Sequence, residues 1–70
     1  MQMRATVSVG DIILTVGNGG YPTSTTGLTE IAHASRQPYG LSELYVYLFV
    51  ATSTSILVQQ NGGGAMFKIS

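Results

Sequence analysis

The first pattern in the chain is a strict alternation of apolar and polar residues near its N-terminus. Apolar side chains occupy every second position there: Met3, Ala5, Val7 and Val9. A period of two is typical of a half-buried strand. The turn pair Gly10-Asp11 follows, and the apolar residues 12–16 predict a second short strand. We therefore expect a tight hairpin to join these two strands.

Residues 17–27 interrupt the apolar pattern. The glycine-rich GNGG of residues 17–20 ends the second strand, and the following YPTSTTG of residues 21–27 combines a proline with four hydroxyl residues and has no periodicity. This composition predicts an exposed loop.

Residues 28–37 fit two different patterns. Positions 28, 31, 32 and 35 have the spacing of one helix face, and Pro38 would end a helix, so we predict a two-turn helix. With a period of two, the same segment becomes a weak strand that exposes Glu30 and buries Ile31 and His33.

The C-terminal half contains the strongest strand pattern. Residues 44–51 place four aliphatic side chains on one face and three aromatic ones on the other, so this strand is apolar on both sides. A turn at residues 52–55 leads into a strand at 56–60. The NGGG of residues 61–64 predicts a tight reversal with positive φ angles into a last strand at 65–69. These segments predict a three-stranded meander.

Together the segments predict an all-β or β-rich α+β domain. We expect about five short, mainly antiparallel strands, with at most one short helix near residues 29–37, in a small sandwich or open barrel. The 70 residues form a single small domain, residues 1–70, which would bury only about 60% of its unfolded surface. Domains of this size usually need a disulfide, a metal or a partner.

The composition argues against a disulfide and a metal and leaves a partner as the source of additional stability. The chain has no cysteine and one histidine, so it cannot form a disulfide and we predict neither a metal nor another cofactor. Only 9% of the residues are charged, against about 25% in an ordinary soluble domain. Such a surface predicts a homo-oligomer or a place in a larger protein assembly.

Charge and hydropathy also exclude other classes of partner. The net charge is zero with three basic residues, so the electrostatic attraction that drives nucleic-acid binding is nearly absent. The longest apolar run, residues 44–51, is too short for a membrane span, although residues 44–58 carry no charge and leave a membrane-associated peptide as a minor alternative. We expect no secretory signal, which is compatible with cytoplasmic synthesis or with a virus particle.

Catalytic chemistry has little support in the sequence. Few titratable residues are present, and no nucleophile-elbow motif occurs, so we do not predict an enzyme. Glu30 and His33 would share a face of the predicted helix, where the plainer interpretation is an exposed helix pair. The GNGG loop resembles phosphate-binding loops, but Pro22 stands at the third glycine position and the plainer interpretation is a turn.

The most informative candidate residues are three aromatics on one strand face, Tyr45, Tyr47 and Phe49. Such a row packs inside the protomer, forms the apolar centre of a protein interface, or makes a stacking platform for sugars or bases. We take it as the candidate interface because 70 residues can hardly cover both faces of the strand.

The leading hypothesis from these observations is a non-enzymatic structural or assembly protein, a small β-rich subunit of a homo-oligomer or larger particle. By analogy of type alone, small subunits that decorate virus particles, called cement proteins, have this kind of composition.

The alternative hypothesis is a small carbohydrate- or ligand-binding module. Tyr21, Tyr39 or the Tyr45 and Tyr47 pair would supply rings, and the amides of Asn18 and Asn61 would supply polar loop contacts. Uncharged Ser, Thr, Asn and Tyr residues suit neutral polyols.

Overall fold

A computed structural model describes residues 1–70 and consists of seven β-strands without a helix. The strands are β1 (Gln2–Thr6), β2 (Ile12–Asn18), β3 (Pro22–Thr26), β4 (Leu28–Arg36), β5 (Leu44–Ala51), β6 (Ser55–Gln60) and β7 (Gly64–Lys68). All of their pairings are antiparallel. The predicted all-β class is therefore confirmed, with seven strands instead of about five. The structure contains no helix that could cross a bilayer.

The strands form two sheets, and the chain changes sheet at almost every connection. The three-stranded sheet has the order β1-β6-β3, and the four-stranded sheet has the order β4-β5-β2-β7. Only β4 and β5 are consecutive strands within one sheet. The predicted hairpin of the first two strands is wrong, because β1 pairs with β6. The predicted C-terminal meander is also wrong, because β6 lies in the other sheet from β5 and β7.

Three bent segments, β1–β2, β3–β4 and β5–β6, explain this topology. Each segment turns from one sheet into the other at a corner, so the two sheets pack face to face. The first corner ends β1 at Thr6 and is held by Gly10, whose N–H donates to the carbonyl of Ala51 at 2.8 Å. The second corner is the single residue Gly27, at φ 73°, where an added Cβ would lie 2.7 Å from the Ser55 carbonyl oxygen.

The segment predicted as an exposed loop is the edge strand β3. It pairs on one side only, with β6, from Pro22 paired with Gln60 to Thr26 paired with Leu57. Proline is tolerated as the first residue of an edge strand because no ladder hydrogen bond needs its missing N–H. The hydroxyl residues that indicated a loop are exposed on this strand instead.

The two-turn helix predicted for residues 28–37 is wrong. The segment is β4, which pairs with β5 from Leu28 opposite Ala51 to Arg36 opposite Leu44. The ladder is irregular between Glu30 and Ala32, where a bulge shifts the register. A bulge breaks the period of two, which is why the strand pattern looked weak and a helical spacing competed with it.

A small apolar core lies between the sheets. It centres on four buried side chains, Ile13, Phe49, Ala51 and Ile56. The accessible surface is 4198 Å², against about 10,700 Å² for the unfolded chain and about 4,200 Å² for an ordinary folded monomer of this mass. The protomer is thus as compact as monomeric proteins of its size, and it still buries only about 60% of its unfolded surface.

Two glycine-rich connections cross at the end of the sandwich away from these corners. The β2–β3 connection brings Gly20 against Gly62 of the β6–β7 connection, and a Cβ built on Gly20 would lie 2.6 Å from the Gly62 Cα. The positive φ angles predicted for residues 61–64 are absent. They occur instead at Gly10, Gly19, Gly27 and Gly40. Glycine is needed at the crossing for close backbone approach, not for backbone handedness.

One core residue leaves a polar atom without a partner, and this gives a stability prediction. Thr15 is 0% exposed and its Oγ1 makes no hydrogen bond. Valine has the same shape, so Thr15→Val removes the buried hydroxyl without leaving a cavity. We expect the free energy of unfolding to rise by about 1–2 kcal/mol in urea denaturation. Thr6→Val on the exposed side of β1 is the control, with an expected change within about 0.5 kcal/mol. A destabilised T15V would show that the hydroxyl is solvated in the folded protein.

Candidate interaction surface

The outer face of the three-stranded sheet is polar. Directly paired residues of antiparallel strands lie on the same face, so the register defines this surface. Its side chains are Gln2, Arg4, Thr6, Ser24, Thr26, Ser55, Leu57 and Gln59. One of the eight is aliphatic, which is ordinary for a sheet that faces water.

The outer face of the four-stranded sheet is apolar. Register places its residues in four rows, and the two central rows run across all four strands. The members of this apolar face are Ile12, Leu14, Val16, Ala32, Ala34, Leu44, Val46, Leu48, Val50, Ala65 and Phe67. The single charged side chain paired into these rows is Arg36, which lies in the end row with Leu44 and Asn18. One outer face of the sandwich is thus polar, and the central rows of the other are apolar and uncharged.

The apolar face is not flat, because one of its rows ends in side chains of different size. On the β4 edge, a depression of about 150 Å³ is lined by Ala32, His33, Ala34, Val46 and Leu48. On the β7 edge, Phe67 is 50% exposed. The row from Ala32 to Phe67 therefore rises across the sheet, whereas the neighbouring row has alanine at both edges, Ala34 and Ala65.

The aromatic row chosen as the candidate interface lies on the opposite side of β5. Phe49 is 3% exposed and belongs to the core, so its surface is not available to a partner. Tyr47 is half-buried and stacks on Phe49 with ring centroids 6.1 Å apart, and Tyr45 is also half-buried. Of the alternatives considered for this row, packing inside the protomer is the one that applies to Phe49.

Sequence reasoning missed the apolar face although its signal was present. The aliphatic side of β5 was recognised, but the interface was assigned to the aromatic side. The second strand carried part of the missing information, because the side opposite Ile12, Leu14 and Val16 has the small residues Thr15 and Gly17 beside Ile13. Thr15 and Gly17 pair with Tyr47 and Tyr45 and leave room for their rings, which favours the aliphatic side as the outward one.

The predicted loop residues come together only in part. The backbone N–H of Tyr21 donates to Asn61 Oδ1 at 2.9 Å, and the Tyr21 ring lies 5.1 Å from the Tyr45 ring at a tilt of 54°. The Asn61 amide therefore fixes the crossing connections. Asn18 ends β2 and pairs with Leu44, at the rim of the apolar face.

A polar cleft opens between the sheets beside β4. His33 Nδ1 lies 2.9 Å from Glu30 Oε2, and the His33 ring stacks on Tyr47 at 5.0 Å. Residues three apart in a regular strand lie on opposite faces, so this pair exists because of the bulge between Glu30 and Ala32. The cleft has a volume of about 200 Å³, and its lining residues are Pro22, Thr23, Ser24 and Thr25 of β3 with Glu30, Tyr47 and Phe49. Both members of the pair are well exposed to solvent.

Comparison with known proteins found no protein-family model, no curated protein and no solved structure that matches this chain. The observations that bear on function are therefore the apolar face and the contrast between the two outer surfaces.

Proposed function

We propose that this protein is a non-enzymatic structural subunit that acts by assembling into a homo-oligomer. The observation that carries the proposal is the apolar face. Four strands spaced about 4.8 Å apart and about 24 Å long give it a projected area on the order of 450 Å². The largest apolar patch that a typical monomer exposes is about 300–600 Å², and such patches are often functional.

The electrostatics of the face support the same function. Burying a charge is costly unless it is paired, whereas aliphatic side chains gain about 25 cal/mol for each Å² removed from water. The central rows of the apolar face contain no charged residue, so covering them desolvates no ion. Arg36, Asn18 and Thr29 surround these rows and supply the polar rim that protein interfaces usually have.

The assembly in which such a subunit works can be larger than its own oligomer. A polar outer sheet facing solvent and an apolar sheet facing protein suit a subunit that covers the surface of a particle. A virus particle decorated by a cement protein is one such assembly. The low charge of the chain is compatible with this kind of assembly but identifies no particular one.

The substitution Val46→Lys tests whether the protein assembles through the apolar face. Val46 lies in the middle of the apolar face and is partly exposed, so the lysine stem can lie along the sheet while its charge reaches water. We expect the wild type to form an oligomer of defined stoichiometry in size-exclusion chromatography with light scattering at two concentrations. We expect Val46→Lys to be a folded monomer.

Thr26→Lys is the matched control for this experiment, because it adds the same charge to the polar outer sheet. It should leave the oligomer unchanged. A wild type that remains monomeric at the higher concentration, or a V46K oligomer identical to the wild type, would contradict the proposed function.

The carbohydrate-binding alternative has weaker support. The rings of Tyr21 and Tyr45 pack against each other and His33 stacks on Tyr47, which leaves the fully exposed Tyr39 as a single open ring and not a platform of several. The Asn61 side chain, which was to contact a ligand, accepts a hydrogen bond from the protein backbone.

A further inference from the structure

We propose that the apolar face is covered by a second copy of this chain, packed face to face so that β7 of each copy lies over β4 of the other. This inference rests on the proposed function and adds the partner and its orientation. Four properties of the apolar face support this arrangement: its relief, its symmetry, its charge and its area.

The relief of the face is complementary to itself. One row across the sheet runs from Ala32 on β4 through Leu48 and Leu14 to Phe67 on β7, so the smallest and the largest side chains lie at opposite edges. Two packed layers interdigitate best where a large residue meets a small one. The exposed Phe67 ring provides the protrusion, and the depression over Ala32 receives it.

Symmetry then selects the orientation. Consider a two-fold axis that lies in the contact plane and runs parallel to the strands. It reverses the strand order across the interface, so β4 of one copy faces β7 of the other. Positions along the strands do not change, so each row faces the same row of the other copy. Such an axis places Phe67 of each copy over Ala32 of the other, which makes two equivalent contacts, as in any isologous dimer. An axis perpendicular to the strands would place β7 on β7 and β4 on β4, so the Phe67 ring would lie far from the depression over Ala32 and the depression would stay empty.

Charge and area agree with a second copy as the occupant. The central rows of the face are uncharged, so two copies bring no like charges together there. Two copies of the apolar face, with a projected area of about 450 Å² each, would cover about 900 Å² together. This area lies at the low end of specific protein interfaces and suits a dimer that dissociates at measurable concentrations. Aligned sheets would cross at about 30° in this contact.

A residue exchange tests this orientation. Phe67→Ala removes the protrusion, and Ala32→Phe fills the depression. Both positions are exposed in the protomer, so each variant should fold, which circular dichroism would verify. We expect each single variant to raise the dimer Kd at least about tenfold in sedimentation equilibrium. The double variant A32F/F67A moves the ring from one side of the contact to the other and should return the Kd to within about threefold of the wild type.

Tyr39→Ala is the control, because this fully exposed ring lies in the β4–β5 connection outside the face. Its Kd should equal that of the wild type. If both single variants weaken the dimer and the double variant is weaker still, the face is the interface but β7 does not lie over β4. If neither single variant changes the Kd, the second copy binds elsewhere. Both results overturn the inference and leave the proposed function standing, whereas a monomeric wild type ends both.

Discussion

Replacing Gly20 with alanine is expected to lower the free energy of unfolding by about 3 kcal/mol. The added Cβ would lie 2.6–2.8 Å from three backbone atoms of Gly62, and a Cβ on Gly62 would in turn lie 2.9 Å from the Gly20 Cα. Backbone atoms cannot rotate away as a flexible side chain can, so the two crossing connections must separate. A domain of 70 residues has a total stability of only about 4–10 kcal/mol.

Gly63→Ala is the matched control for this substitution. Gly63 lies next to Gly62 in the same connection, its φ is not positive, and an added Cβ would meet nothing within 4 Å. This variant should be as stable as the wild type or up to about 1 kcal/mol more stable, because alanine restricts the unfolded chain. Urea denaturation of the two variants measures the difference. Equal stability of G20A and G63A would show that the connections do not cross at this distance.

The second large effect is expected at the centre of the core. Phe49→Ala should cost about 3–5 kcal/mol of unfolding free energy, because the cavity left by the ring adds to the lost burial. Phe49 packs in one cluster with Ile13 and Ile56, which come from both sheets. In a domain of this size that loss leaves the chain largely unfolded, which the near-ultraviolet circular dichroism and the urea midpoint would report.

Phe67→Ala supplies the comparison for the core substitution. The same ring is removed from the same sheet, but on its outer side, where half of the residue is already in water. Measured at a protein concentration at which the chain is monomeric, this loss should stay below about 1.5 kcal/mol. If F49A were as mild as F67A, Phe49 would not be a core residue and an interface function for the aromatic row would regain its support.

The parts of the fold that the sequence predicts are those set by a local pattern. The long apolar β5 (Leu44–Ala51), the alternation around β1 and the all-β class all follow from residue type and period. Their ends are less certain, since β1 ends at Thr6 while the alternation continues to Val9. The chain turns a corner after Thr6 because the N–H groups of Val7 and Gly10 donate to the carbonyls of Thr54 and Ala51, which lie far away in the sequence.

The parts of the fold that the sequence did not predict depend on pairing between distant segments. Nothing in residues 28–36 alone favours a strand over a helix strongly, and β4 forms because β5 offers a complete ladder to it. The same holds for β3, whose hydroxyl-rich sequence becomes a strand only beside β6. The apolar face was not predicted for a related reason. Which side of β5 faces outwards depends on its pairing with β2 and β4 and not on its own sequence.

The repeated change of sheet has a consequence for how the chain folds as it is synthesised. The only strand that pairs with β1 is β6, and β3 also pairs with β6 alone, so the whole three-stranded sheet waits for a strand near the C-terminus. Topologies dominated by such distant pairings fold slowly, in milliseconds to seconds. A nascent chain that ends before Ser55 has made its longest apolar strand and has no second sheet to cover it. The three-stranded sheet of this domain therefore forms only after β6 has been synthesised.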